Sequence, residues 1–200
     1  QVVEEAGSGW VQIGEPKVTY NNTTGTTTYS YTFTNSITTS YSVEKVWRPT
    51  TATKQEVTLG LYRTTDSTKV GSTTGTPVPV DELDSSKGVR TVTLDGNTDT
   101  TETTAWNATF TNLPKYDADG DLYYYYALEL NGTTPIGQNG KLTLGTTDYE
   151  VSYNWAADNT KTTVTNTTAT SLTGTKTWVD NSNIYHTRPT SLTLILERTV

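Results

Sequence analysis

Two stretches of this chain recur at a fixed distance, and that recurrence constrains the fold more than any composition figure. Val43-Glu44-Lys45-Val46-Trp47 returns as Gly174-Thr175-Lys176-Thr177-Trp178. Tyr31-Thr32-Phe33-Thr34-Asn35 returns as Thr162-Thr163-Val164-Thr165-Asn166. Both pairs are about 131 positions apart. A looser pair, Val2-Val3-Glu4 and Ala127-Leu128-Glu129, is about 125 apart, an indel of a few residues. Each Lys-x-Trp precedes an Arg-Pro and then a strand-like run, Val57–Arg63 or Leu192–Arg198. A constant period marks a tandem array of one structural unit. The order along the chain is Glu, Asn, then Lys, Glu, Asn, then Lys. It divides the sequence into the C-terminal part of a preceding unit (1–40), a complete unit (41–168) and the N-terminal part of a following unit (169–200). Both flanks lack the same middle strands. That favours a window on a longer array over ends completed by neighbouring molecules.

The unit is all β. Roughly a quarter of the residues are Thr, far above ordinary usage, and Thr, Val and Tyr suit a pleated surface. Alternation with period two runs through Thr27–Thr34, Val57–Leu61, Val89–Leu94 and Lys161–Asn166. Turn signals separate the runs: Asn22 to Gly25, Asp95-Gly96, Asp119-Gly120, Asn131-Gly132 and Asn139-Gly140. No stretch carries a 3.6-residue apolar period, so helix is expected to be scarce. Short, regularly spaced strands with such turns read as β-sandwiches. The Thr excess reads as solvated strand faces rather than as ice binding or O-glycan display. The Asn-x-Ser/Thr triplets at Asn21, Asn22, Asn107, Asn131 and Asn166 arise by chance in a Thr-rich chain and are not read as glycan sites.

Composition narrows the chemistry. There is no Cys, which removes disulfides, thiolate metal sites and Cys nucleophiles. A single His argues against a multi-histidine metal site or a Ser-His-Asp triad. A net charge of −7 argues against nucleic acid, which needs a basic face, and fits an extracellular surface role. No apolar run reaches a membrane span, and no signal peptide is visible. No cofactor and no metal are expected.

One constellation in the complete unit carries chemistry. Val43, Lys45 and Trp47 share one strand face, so Lys45 heads inward between apolar neighbours. Tyr125, Ala127 and Glu129 share a face of another strand, as do Val164 and Asn166 of the last. Burial favours the neutral amine at Lys45 and the neutral acid at Glu129. A neutral Lys45 Nζ is a nucleophile, the Asn166 carboxamide carbon an electrophile, and Glu129 a polarising group and proton shuttle. The product is a Lys–Asn isopeptide with loss of ammonia, tying the first strand of the unit to the last. A plain buried Lys–Glu ion pair beside a strand Asn accounts for the same residues, and on the residues alone it is the commoner arrangement.

A family resemblance shifts that balance. Val43–Trp47 (V-x-K-x-W), Leu61–Arg63, Asn112–Gly120 (NLPKYDxxG), Tyr125–Glu129 (Y-x-x-x-E) and Thr163–Thr167 (TVTNT) together resemble the collagen-adhesin B-type (Cna B-type) repeat of Gram-positive surface proteins. The resemblance covers essentially the whole chain, as one full and two partial repeats. It implies immunoglobulin-like β-sandwiches in tandem, in adhesins, pilins and stalks, many with a spontaneous Lys–Asn isopeptide assisted by a Glu. Carried across, Lys45 and Asn166 are the crosslinking pair and Glu129 the catalytic group. Glu4 and Asn35 take the corresponding roles in the preceding repeat, and Lys176 in the following one, with their partners outside this chain. The expected function is a structural stalk or fibre segment at the bacterial cell surface, not an enzyme, whose partners are adjacent repeats. The alternatives are an adhesive module for a host protein or glycan, and a fibre subunit completed by its neighbours. Position 127 departs from the family, with Ala where a larger apolar residue is usual. The unit is also long, with its extra length expected in Gly71–Ser86 and Asn97–Thr104. No LPxTG-type sorting signal is present.

Other candidates fall away. Asp117, Asp119 and Asp121 alternate around Gly120, but an EF-hand loop starting at Asp117 would need Gly at 122 and Glu at 128, where Leu stands. A solvated Asp-Gly turn explains them. The Tyr123–Tyr126 run reads as a strand with aromatics on both faces rather than a sugar platform. His186 reads as a solvated loop residue. No carboxylate pair stands out for glycoside hydrolysis.

Overall fold

The computed structural model describes residues 2, 4–5, 7–97, 103–168 and 173–195. It forms two compact units, Gln1–Ala169 and Thr170–Val200. In the first, the strands are β1 (Trp10–Gln12), β2 (Lys17–Thr23), β3 (Thr26–Thr32), β4 (Asn35–Arg48), β5 (Val57–Thr64), β6 (Thr76–Pro77), β7 (Thr91–Leu94), β8 (Thr103–Thr104), β9 (Asn107–Pro114), β10 (Tyr124–Asn131), β11 (Thr134–Pro135), β12 (Gly140–Leu144), β13 (Thr147–Trp155) and β14 (Lys161–Thr168). Among the described residues the helical content is confined to single 3-10 turns, and no helix is long and apolar enough to cross a membrane.

The strands form an all-β sandwich. One sheet runs β12-β13-β14-β4-β9-β8, with β1 also pairing β4; the facing sheet runs β11-β10-β5-β6, with β7 also pairing β5. β4 and β14 are parallel neighbours, with Val164 opposite Lys45 and Asn166 opposite Trp47. β4 is a continuous strand of 14 residues that runs through position 40 into the Val43–Trp47 motif. A register shift between Thr39 and Tyr41 bends its pairing with β9. The core lies between the sheets, from alternating side chains such as Tyr41, Val43 and Trp47 of β4, Leu59 and Leu61 of β5, and Tyr149, Val151 and Tyr153 of β13.

β10 departs from simple alternation: Tyr125 through Leu128 are all buried. Its second face is covered by part of the 71–86 segment that the sequence marks as extra. Tyr126 stacks on Tyr62 at 5.7 Å, and its hydroxyl donates to Ser72 O at 2.9 Å. The fit allows no side chain at Gly75, where a Cβ would lie 1.6 Å from Tyr126 Oη. Of the other long stretch, 97–104, residues 98–102 lie outside the described set.

β2 and β3 form a separate two-stranded ribbon in which every residue is exposed. Its two-residue turn, Thr24-Gly25, has positive φ at both positions, the backbone that matches the strand twist of a tight hairpin. Val18 pairs with Tyr31 and Tyr20 with Tyr29, so the four share one face.

The second unit contains no strand among its described residues. The 192–195 run, apolar enough to read as strand, has no ladder partner among them. The unit is organised around Arg188, whose guanidinium makes two bonds to Asp180, at 2.7 and 2.6 Å.

Candidate functional site

The parallel pairing of β4 and β14 places Lys45 and Asn166 on the same inner face, two residues apart in register. β10 crosses above them on the opposing sheet and points Glu129 down between them. Lys45 Nζ donates to Glu129 Oε2 at 2.8 Å, and Asn166 Nδ2 donates to Glu129 Oε1 at 2.9 Å. The Lys45 and Glu129 side chains have no solvent exposure, and Asn166 is fully buried. One carboxyl group therefore bridges an amine and a carboxamide inside the sandwich.

The surroundings are aromatic. Lys45 Nζ lies 4.8 Å from the Trp47 ring centre, and Trp47 packs edge-on against Trp106 at 5.3 Å and Tyr149 at 5.4 Å. Burial among these rings lowers the Lys45 pKa from 10.5 to about 8, a shift opposed by the Glu129 charge and hydrogen bond. Near neutral pH a measurable fraction of the amine is then uncharged and able to act as a nucleophile. Asn166 Oδ1 is a buried acceptor with no hydrogen-bond partner among the described residues. Chemically, Glu129 can accept a proton through Oε2 from the amine and deliver one through Oε1 to the carboxamide nitrogen. That is the relay an amine needs to displace ammonia from an amide.

All three groups are closed off from solvent. A surface recess of about 640 Å³ does exist, but Glu4, Pro79, Glu82 and Arg90 are among its lining residues, and none of the three buried groups is.

The other sequence-predicted residues fall elsewhere. Asn35 Nδ2 donates to both carboxylate oxygens of Glu4, at 2.9 and 3.0 Å, on the surface. This amide–carboxylate contact resembles that of Asn166 and Glu129, but without burial and, among the described residues, without a lysine. Lys176 belongs to the second unit, where it is exposed, donates to Thr177 O at 3.0 Å and lies 4.4 Å over the Trp178 ring. Asp117 Oδ1 accepts from the backbone of Asp119 and Asp121 at 3.0 and 2.8 Å, an Asx-type turn.

Several residues that sequence reasoning passed over hold β10 in place. The edge of β10 facing away from β5 has no strand along most of its length among the described residues, and side chains from β13, β14 and the turn between them take the ladder's place. Tyr125 N donates to Asn159 Oδ1 at 2.8 Å, Ala127 N to Thr162 Oγ1 at 3.1 Å, and Glu129 N to Tyr153 Oη at 3.1 Å. Tyr41 Oη also meets Thr162 Oγ1, at 2.9 Å. Period two along β14 puts Thr162 in the inward row with Val164 and Asn166, and an inward polar residue demands a partner. That signal is legible in the sequence; the identity of the partner is not.

No family model matches this chain, and no curated protein matches it. Among solved structures, the chain is similar to two crystal structures of the pilus adhesin SpaC from Lactobacillus rhamnosus GG, one of them an open conformation. In both, identity is 16%, the TM-score is 0.37, and the alignment covers 70% of this chain. The chain spans 14% of the adhesin's length. Identity and score at this level do not assign the chain to a family.

Proposed function

We propose that this chain is a segment of a stalk or fibre on a Gram-positive cell surface, built from Cna B-type sandwiches in tandem. Its complete repeat is locked by an isopeptide that it forms by itself. The observation that carries the reading is the buried Glu129 carboxyl bridging Lys45 Nζ and Asn166 Nδ2 at 2.8 and 2.9 Å. Neutral Nζ attacks Asn166 Cγ. A proton leaves Nζ through Glu129 and reaches Nδ2, the C–N bond of the carboxamide breaks, and ammonia departs. The amine and the amide become one secondary amide plus NH3, with no cofactor or co-reactant. The reaction turns over once, so the protein is a substrate of its own chemistry rather than an enzyme.

The bond would join neighbouring parallel strands near the two ends of the repeat, so tension along an array would pass through covalent bonds instead of the sandwich. The partners under this reading are adjacent repeats of the same protein.

The test is the intact mass of the denatured protein beside a Lys45→Ala variant. The expected result is a wild type lighter than its sequence by one ammonia, with the variant at its full mass. A wild type at full sequence mass sinks the crosslink and leaves a buried ion pair.

A second reading, an adhesive module, draws on the exposed face of Val18, Tyr20, Tyr29 and Tyr31 on the β2–β3 ribbon. Binding of immobilised host proteins or glycans that is lost with Tyr20→Ser and Tyr29→Ser would favour it.

A further inference from the structure

The row of residues that carries Lys45 contains a second group reaching across to β10. Lys45 pairs with Val164, and Val164 pairs on its other side with Tyr153, so Lys45 and Tyr153 flank Val164 on the same inner face. Lys45 meets the Glu129 carboxyl group; Tyr153 meets the Glu129 backbone. The Tyr153 hydroxyl accepts from Glu129 N at 3.1 Å and donates to Ile136 O at 2.7 Å, while Ile136 N donates to Glu129 O at 2.9 Å. The three residues close a ring of hydrogen bonds in which both peptide groups of Glu129 are held. Tyr153 itself is anchored: its ring stacks on Trp155 at 5.5 Å, and its backbone N donates to Gln138 Oε1 at 2.8 Å.

We propose that Tyr153 is a positioning residue for crosslink formation, its hydroxyl fixing the Glu129 backbone so that the carboxyl sits between Lys45 Nζ and Asn166 Nδ2. The physical reason is an unfinished ladder. On this edge Glu129 receives one backbone bond, from Ile136 N to its carbonyl, so without the hydroxyl its N–H would be an orphaned buried donor, free to move the residue by rotating its peptide. A relay with hydrogen bonds of 2.8 and 2.9 Å at its two ends tolerates little displacement of its middle group. This inference rests on the crosslinking reading above.

The experiment starts from full-length chain held unreacted in denaturant, diluted into folding buffer and sampled over time by intact mass. Wild type, Tyr153→Phe and Thr162→Val are compared across pH 6 to 10. Thr162→Val removes the neighbouring clamp bond, to Ala127, and so reports what a general loosening of the β10 edge does. The expected result is a maximal rate of ammonia loss at least about tenfold lower in Tyr153→Phe, with Thr162→Val within a few-fold of wild type. The midpoint of the pH profile separates positioning from loosening. If only the geometry of Glu129 is lost, the plateau drops and the midpoint stays near the wild-type value. If the site opens to water, Lys45 regains solvation and the midpoint climbs toward that of an ordinary lysine.

Tyr153→Phe at the wild-type rate, or a midpoint displaced upward with the plateau retained, overturns the proposal. Equal slowing in Tyr153→Phe and Thr162→Val also overturns it, because the hydroxyl is then only one structural bond among several. A wild type that loses no ammonia overturns the crosslink itself, a separate failure. Should Tyr153→Phe not fold, amide hydrogen exchange on the Asn166→Ala chain decides: protection of the Glu129 amide supports the proposal, and exchange at the rate of an exposed amide overturns it.

Discussion

Lys45 Nζ and Glu129 Oε2 meet at 2.8 Å across the space between the two sheets, with neither side chain exposed. Taking two charges out of water costs several kcal/mol per ion, which their attraction offsets only with good geometry and further hydrogen bonds. Beyond that contact the Glu129 carboxylate accepts one further bond, from Asn166 Nδ2, and Lys45 Nζ makes no other among the described residues, lying instead beside the Trp47 ring. Under the proposed function the pair is a reactant and its proton relay rather than a source of stability.

Removing one partner should therefore be costly. In the Asn166→Ala background, where no isopeptide can form, Lys45→Met is expected to lose about 3–5 kcal/mol of stability by urea unfolding, because Glu129 is left as an uncompensated buried charge. Adding Glu129→Leu should restore at least half of that loss. A Lys45→Met chain as stable as its parent would show that the pair carries no buried charge.

The uncrosslinked chain should become more stable as pH rises from about 8 to about 10. Burial holds Lys45 near 8 in the folded state, against 10.5 when unfolded, so in this window the unfolded chain binds more protons and stability rises with pH. Above about 10 the slope should reverse. Burial pushes Tyr41 and Tyr126 up to about 12 and raises Tyr125 and Tyr153 further. The unfolded chain then ionises first, and stability falls as pH rises. Unfolding free energies of the Asn166→Ala chain measured from pH 7 to 11 check both slopes.

Formation of the bond should itself raise stability. It closes a loop of about 120 residues, and a crosslink of that span is worth about 4.7 kcal/mol in the chain-entropy account. Wild type compared with Asn166→Ala by guanidinium unfolding should show a difference of this order. A gain near zero would mean that native-state strain cancels the entropy.

The side-chain clamp should behave as a substitute ladder. Thr162→Val leaves the Ala127 N–H and the Tyr41 hydroxyl without their shared partner, and an orphaned buried polar group costs about 1–3 kcal/mol. Urea unfolding of this variant should show a loss in that range, and amide exchange at Ala127 should accelerate.

At Gly75 the expected effect is steric. A methyl group there would meet Tyr126 Oη, so Gly75→Ala should destabilise by about 1–3 kcal/mol through overpacking. Tyr126→Phe in the same chain should recover part of the loss, because the hydroxyl is the nearest obstacle. The thermal midpoints of the three chains decide.

Period two alone makes three inward side chains legible: Lys45 between Val43 and Trp47, Glu129 beyond Tyr125 and Ala127, Asn166 beyond Val164. Alternation is a property of the backbone, so it can be read wherever strand is read. The all-β class is legible for the same reason, and several turn signals hold positive φ in the structure, at Gly25, Gly96, Gly120, Gly132 and Asn139. The burial of both faces of β10 is not legible, because the cover comes from a loop some fifty positions earlier that presents no strand pattern of its own. The strand that starts at Asn35 and passes unbroken through the Lys45 motif is not legible either, since the repeat pattern reads Asn35 and Lys45 as parts of two units.

By itself, then, the sequence determined that Lys45, Glu129 and Asn166 each face inward, because the face of a strand residue is a local matter of alternation. Only the tertiary structure decided that they face one another. That depends on β14 lying parallel to β4 in a register that sets Val164 opposite Lys45, and on β10 crossing from the other sheet. It depends as well on Tyr153, Thr162 and Asn159 standing in for the strand that β10 lacks on that edge. The β4–β14 register arises from pairs such as Lys45 and Val164, about 119 positions apart, and no local pattern encodes it.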